Sequence, residues 1–271
     1  MEMEKYFRVD KLPHIWCPGC GHGSVMMSIV KGIDKMGWDP EKVTVVSGIG
    51  CSSRAPGYMN FNTLHTVHGR PIAFATGIKL ANPELHVIVI TGDGDGAAIG
   101  GNHLIHACRR NIGINVVLFN NQIYGMTSGQ YSPMTPEGSM ATTSPYGNIE
   151  PPFDLCELTR SAGANFVARG TVYHLPKLDS YIEKAFGKEG FSYVEAISQC
   201  PTYYGRRNKM KTPLEMLEWQ KKNSIDIKKA RDLDSEQLKG KIITGIFAER
   251  DDEEYTARYD QLIKSVQGGK E

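Results

Sequence analysis

Two sets of residues in this chain combine side-chain chemistry with a spacing that could build a site. The first is rich in oxygen ligands. The run Gly92-Asp93-Gly94-Asp95-Gly96 directly follows the apolar stretch HVIVIT, and Asn120-Asn121 directly follows INVVLF. Both stretches read as strands of a parallel sheet, where ligands bind beyond the carboxyl ends, so the two clusters should be neighbours in space. The Asp93 carboxylate and the Asn121 amide oxygen are hard donors suited to Mg²⁺, which recruits substrate phosphates to complete an octahedron. Gly94 and Gly96 let backbone N–H groups approach phosphate oxygens, and a helix starting near Ala97 would aim its positive end at them. Alone, GDG also fits a plain turn. Its pairing with the second Asn of NN, 28 residues after Asp93, is far more specific and points to a divalent cation carrying a diphosphate. No GxxxxGK[ST] occurs, and no GxGxxG with a suitable acidic residue follows the first strand, which removes P-loop and Rossmann sites.

The second set is sulfur. Six Cys occur, at positions 17, 20, 51, 108, 156 and 200. Cys17-Pro-Gly-Cys20 is a CxxC in an opening loop, while Cys51 and Cys200 each come just after a strand-like run, on the edge assigned to the diphosphate. Four thiolates there could hold zinc or an iron–sulfur cluster. Zinc ribbons usually bring two CxxC pairs, and only one is present. A thioredoxin-like CxxC opens a helix after a strand, and no strand precedes this one. A [4Fe–4S] cluster accommodates one pair and two dispersed Cys, so spacing favours the cluster over zinc. Cys108 and Cys156 lie in helical patterns and read as small core residues.

These residues need a scaffold that gathers strand ends. Val/Ile-rich runs at 43–48, 86–92, 114–120 and 191–198 alternate with helical patterns at 22–36, 72–81, 99–111, 154–162 and 176–186. The strands are continuously apolar rather than alternating, as in parallel sheets covered on both faces. The expected fold is α/β, a doubly wound, mainly parallel sheet with helices on both faces. Residues 1–200 should form this domain together with the opening cysteine loop. Residues 201–271, polar with a helix near 213–222, a strand at 242–247 and a helix over 253–266, should pack on the domain or on a neighbouring subunit. Residues 124–152 break the pattern. A structureless loop of that length is uncommon in a compact domain, and it is expected to cover a ligand or meet a partner.

Composition excludes several classes. The 271 residues are 40% hydrophobic and 23% charged, enough apolar material for a full core and too much for disorder. Lys and Arg total 31 against 30 Asp and Glu, so no global field favours nucleic acid or an anionic membrane as partner. The opening residues lack a signal-peptide core, and no run of apolar residues is long enough to span a bilayer. A soluble, cytoplasmic protein with reduced thiols is expected.

The ordered motifs WCPGCGHG (16–23), GIGCSSR (48–54), HTVHGR with ATGIKLANP (65–83), GDGDGAAIGGNH (92–103), NNQIYGMTSGQYSPMTP (120–136) and CPTYYGRR (200–207) resemble those of 2-oxoacid:ferredoxin oxidoreductase β subunits, over nearly the whole chain. The resemblance implies a thiamine diphosphate-binding fold, with Mg²⁺ held by Asp93, Asn121 and the Ile123 carbonyl. It implies one [4Fe–4S] cluster on Cys17, Cys20, Cys51 and Cys200. Cofactor contacts carried over by motif are Ile49, Gly50, Cys51, Ser52, His68, Gly94, Asp95, Gly125 and Met126. His68 is expected to serve cofactor or substrate; His65 fits that role or an ordinary loop position equally well.

The implied reaction is coenzyme A-dependent oxidative decarboxylation of a 2-oxoacid, or its reverse, with single electrons passing through the cluster to ferredoxin. Thiamine sites need a carboxylate near the aminopyrimidine, and Glu84 and Glu137 are poor candidates. In the family that Glu, and much of the substrate and coenzyme A site, come from a separate α subunit, and small ferredoxin-like subunits can join. Arg54 could pair its fork with the distal carboxylate of 2-oxoglutarate, or lie solvated or against the diphosphate. The first role favours 2-oxoglutarate over pyruvate and branched-chain acids. Two rivals stand beside this expectation: a non-redox thiamine decarboxylase or synthase with structural Cys, and an electron carrier without thiamine.

Overall fold

The structure is a computed structural model that describes residues 3–268; residues 1–2 and 269–271, at the ends of the two expected segments, lie outside the described residues. Among the described residues, eight strands form one sheet. They are β1 (Val43–Ser47), β2 (Asn62–His65), β3 (His86–Gly92), β4 (Asn115–Asn120), β5 (Phe166–Thr171), β6 (Ser192–Ile197), β7 (Ser224–Asp226) and β8 (Ile242–Glu249). Their order is β2-β1-β3-β4-β6-β5-β8-β7. Every neighbouring pair is parallel except β5 with β8. The helices are α1 (Met3–Tyr6), α2 (His22–Met36), α3 (Pro71–Ala81), α4 (Gly101–Arg110), α5 (Leu155–Ser161), α6 (Leu175–Phe186), α7 (Pro213–Asn223), α8 (Ile227–Ala230), α9 (Ser235–Leu238) and α10 (Tyr255–Gln267).

Strands β1, β4, β5 and β6 are buried at every position, which is why their sequences do not alternate. Successive side chains feed two cores. Ile88, Ile90, Val117 and Phe119 meet Val25, Ile29 and Ile33 of α2 and Ile182 of α6 on one face. Val87, Val89, Val116 and Leu118 meet Ile72 of α3 and Leu104 of α4 on the other. Cys108 and Cys156 sit buried in that second core, and burial pushes both thiols up, as inert packing residues.

The chain leaves β1 for β2 on one side and returns to β3 on the other. Winding therefore reverses between β1 and β3, and the loops that follow them open a crevice at the carboxyl rim. Cys51 follows β1, Asp93 follows β3, Asn121 follows β4 and Cys200 follows β6. Helix α2 starts immediately after the CxxC, which holds that loop at the same rim.

Sequence patterning missed β2, β5 and β7. Residues 201–271 supply β7 and β8 to the sheet, with β8 running antiparallel beside β5. Residues 124–152 hold no regular element beyond isolated bridges. They are knit instead by backbone bonds such as Gly138 N–H to Asn148 O (2.7 Å) and Thr142 N–H to Gly129 O (2.7 Å). Among the described residues, no helix is long and apolar enough to cross a membrane.

Candidate functional site

A cavity of about 100 Å³ opens at the carboxyl rim between the loops after β1, β3 and β4. It is lined by all nine residues expected to contact the cofactor, namely Ile49, Gly50, Cys51, Ser52, His68, Gly94, Asp95, Gly125 and Met126, and by Asp93, Asn121 and Ile123. Its one wall is built by close backbone approach. A Cβ on Gly48 would lie 2.1 Å from the Asp95 carboxylate, and one on Gly94 would lie 2.2 Å from the Tyr124 ring, so neither position takes a side chain.

Asp93 is buried, and burial pushes its carboxyl up to about 7, opposed by the Ser132 hydroxyl and by backbone N–H groups. Ser132 Oγ donates to Asp93 Oδ2. The Asn121 amide oxygen stands 2.7 Å from the Ile123 carbonyl oxygen and 3.1 Å from Asp93 Oδ1. In the amide orientation that satisfies all three groups, its NH₂ donates to both oxygens. Two Mg–O bonds of about 2.1 Å at a right angle separate their oxygens by about 3.0 Å, so the triad has the spacing of adjacent ligands on one ion.

Asp95 faces the other way. Its Oδ1 accepts from His68 Nδ1 (2.5 Å), Gly69 N–H (2.7 Å) and Ile49 N–H (3.2 Å), and its Oδ2 from Thr91 Oγ1 (2.6 Å). The carboxylate thus straps the loops after β1 and β2 to the end of β3. Anchoring Nδ1 of His68 on this carboxylate leaves Nε2 as the nitrogen available to a ligand. His65, by contrast, bonds Ser47 Oγ (3.0 Å) outside the cavity. Arg54 is exposed on the turn after Cys51 and does not line the cavity; its charge lowers the His65 pKa, second to burial.

The four expected cysteine ligands come together at the same rim. Charge on neighbouring thiols raises the pKa of three of them: Cys20 senses Cys17, Cys51 and Cys200, Cys51 senses Cys17 and Cys200, and Cys200 senses Cys17. Burial adds to this and is the larger effect, pushing Cys20 up to about 12 and Cys51 up to about 11. Among the described residues, no three His, Cys, Asp or Glu side chains close around a single ion. Gly125 joins the two sets: a Cβ there would stand 3.5 Å from Cys51 Sγ, 3.7 Å from Cys200 Sγ and 3.6 Å from the Asn121 amide.

Residues 48–196 match the C-terminal TPP-binding domain of thiamine pyrophosphate enzymes. The 2-oxoglutarate synthase subunit KorB of Methanothermobacter marburgensis is 55% identical over 264 residues, 97% of this chain and 93% of that protein. A 2-oxoacid:ferredoxin oxidoreductase subunit beta of Saccharolobus solfataricus is 43% identical over 190 residues, 69% of this chain and 62% of that protein. The chain belongs to the β subunits of 2-oxoacid:ferredoxin oxidoreductases. Among solved structures, a 2-oxoglutarate:ferredoxin oxidoreductase from Magnetococcus marinus with 2-oxoglutarate, coenzyme A and succinyl-CoA bound matches at a TM-score of 0.87 and 34% identity, over 99% of this chain and 91% of that one.

For an oxidoreductase β subunit, the cavity also holds residues that motif and spacing left out. His22 lines it, buried against Trp16 and Phe119, with Nδ1 3.1 Å from Ser198 Oγ; burial pulls its pKa down to about 4, so the ring is neutral at pH 7. Its adjacency to the CxxC was the one signal available. Ser132 had none, because it reaches Asp93 across 39 residues from an irregular loop.

Proposed function

We propose that this β subunit binds thiamine diphosphate through Mg²⁺ on Asp93, Asn121 and the Ile123 carbonyl, and carries one [4Fe–4S] cluster on Cys17, Cys20, Cys51 and Cys200. The observation that carries this reading is the space beside Gly125, where a Cβ would meet two of the thiols and the Asn121 amide at once. Burial raises the Asp93 carboxyl to about 7 and raises the thiols, with Arg54 opposing it only at Cys51, and cations at both positions would hold these groups ionised. A single zinc would draw its four sulfurs to about 3.8 Å apart, whereas a cubane gives each sulfur its own iron and a wider span. One CxxC with two dispersed Cys, rather than two CxxC pairs, favours the cubane.

Bound thiamine diphosphate supplies the carbanion chemistry that splits the bond between a 2-oxoacid carboxylate and its carbonyl. This chain's residues do the rest. The triad anchors the diphosphate, Asp95 fixes His68 so that Nε2 faces the bound molecule, and the thiols hold an electron acceptor alongside. The small cavity contains no carboxylate besides Asp93 and Asp95, both engaged, so the Glu that thiamine requires would come from an α subunit. The substrate we favour is 2-oxoglutarate, with coenzyme A as acyl acceptor and ferredoxin as electron acceptor, in line with the names of the relatives. Thiols that bind a cluster suit a reducing cytoplasm.

Anaerobic co-purification with the α subunit tests this. About four iron and four sulfide per β chain and one thiamine diphosphate are expected; zinc, or no iron, refutes the cluster. Arg54→Ala should raise the KM for 2-oxoglutarate far more than that for pyruvate. Equal effects would remove Arg54 from substrate selection.

A further inference from the structure

The three segments that bring the thiols to the rim share a property unrelated to ligation. Residues 11–33, 42–83 and 196–214 contain no Asp or Glu, although acids and bases nearly balance over the chain. The densest basic run follows the last thiol: Arg206, Arg207, Lys209 and Lys211. All four are exposed, and none of their side chains has a hydrogen-bond or ion-pair partner among the described residues. Some exposed lysines are paired, as in Lys31–Asp179, Lys35–Glu183 and Lys42–Glu84, and others such as Lys228 and Lys229 are not, so it is the density of the run beside a thiol that sets it apart.

These cations are held beside the cysteines. A π-helical turn (Pro201–Gly205) starts at the residue after Cys200, and Pro213 packs on Gly19 so tightly that a Cβ there would lie 2.2 Å from it. Gln199 Nε2 donates to Gly19 O (2.9 Å). Asn208, in the middle of the basic run, is pinned to Met140 N–H (2.8 Å), Met140 O (3.1 Å) and Tyr204 O (2.9 Å), which fixes the run in place. Cys17 is exposed at this edge.

We propose that Arg206, Arg207, Lys209 and Lys211 form the docking surface for an acidic one-electron carrier protein, seated on the cluster edge at Cys17. The proposal rests on the four thiols holding a cluster. Each encounter moves one electron from the reduced cluster to the oxidised carrier, with no bond or proton transferred. Unpaired cations clustered at the exit raise the association rate of an acidic protein, and salt screens that gain.

The test uses the α/β complex with 2-oxoglutarate and coenzyme A, and compares an acidic ferredoxin with methyl viologen, a small dication that needs no such surface. Arg206→Glu with Arg207→Glu, and separately Lys209→Glu with Lys211→Glu, should raise the ferredoxin KM at low salt by about tenfold or more. The difference should shrink as ionic strength rises, while viologen rate and coenzyme A KM stay unchanged. An unchanged ferredoxin KM overturns the proposal. So does a raised coenzyme A KM, which would make the run a phosphate site, or loss of the α subunit on purification, which would make it a subunit contact. Failure of the underlying reading looks different, because the unsubstituted complex would then lack iron and reduce no viologen; that outcome overturns the docking surface as well.

Discussion

At the scale of single residues the site turns on one buried carboxyl. Asp93 ionises in the folded protein near pH 7 rather than near 3.8, because burial penalises the charged form. With Mg²⁺ held as proposed, a proton would compete with it for this carboxylate. Mg²⁺ affinity in the presence of thiamine diphosphate should fall about tenfold for each pH unit below about 7, and level off above it. Calorimetric titration at pH 5.5, 6.5 and 8 measures this; equal affinities across that range would mean that Asp93 does not bind the metal as a carboxylate. Asp93 and Asn121 were legible because strand-then-Gly and strand-then-Asn are local patterns with a stated chemistry. The strap that Asp95 makes to Ile49, His68 and Gly69 was not, since it depends on where three separate loops meet. Neither was Ser132, a hydroxyl among many in residues 124–152.

Among elements, β5 shows why some of the sheet escaped sequence patterning. Its run FVARGT is broken by Arg169 and Gly170, so it lacks the apolar continuity that marked β1, β3, β4 and β6. The sheet supplies what the strand lacks. Arg169 Nε donates to Glu195 Oε2 of β6 (2.9 Å), and Nη2 donates to Asp154 (2.7 Å). Glu195 Oε1 in turn accepts from Asn120 Nδ2 (2.7 Å), and Asn120 Oδ1 accepts from Gln122 N–H (3.0 Å), at the turn that presents Asn121 and Ile123. Glu195→Ala leaves a buried guanidinium short of a partner and should cost about 3–5 kcal/mol, read as a lowered denaturant midpoint. Replacing the pair together, Glu195→Leu with Arg169→Met, should recover most of that loss. If the double variant is no better than Glu195→Ala, the cost lies in the Asn120 turn rather than in the stranded charge.

For the whole molecule, one contiguous segment both lines the small cavity and carries exposed apolar side chains. Residues 124–127 line the small cavity, while Tyr146, Ile149 and Phe153 stand 102%, 89% and 53% exposed further along the same loop. Apolar side chains that far into solvent at the end of a well-bonded loop gain nothing for the folded chain alone, and contact with another subunit would cover them. An α subunit contact on this stretch would cover them, and that expectation can be tested. Two expectations separate the roles. The isolated chain, reconstituted with iron, sulfide and thiamine diphosphate, should show a cluster that dithionite bleaches, yet release no ¹⁴CO₂ from 1-¹⁴C-labelled 2-oxoglutarate until the α subunit is added. Ile149→Asp should leave the melting temperature and the visible spectrum of the isolated chain unchanged, because the side chain touches little within it, and should lower complex formation on gel filtration by about tenfold. A variant that assembles normally would move the α subunit contact off this loop, and decarboxylation by the isolated chain would mean that its catalytic carboxylate lies within it after all.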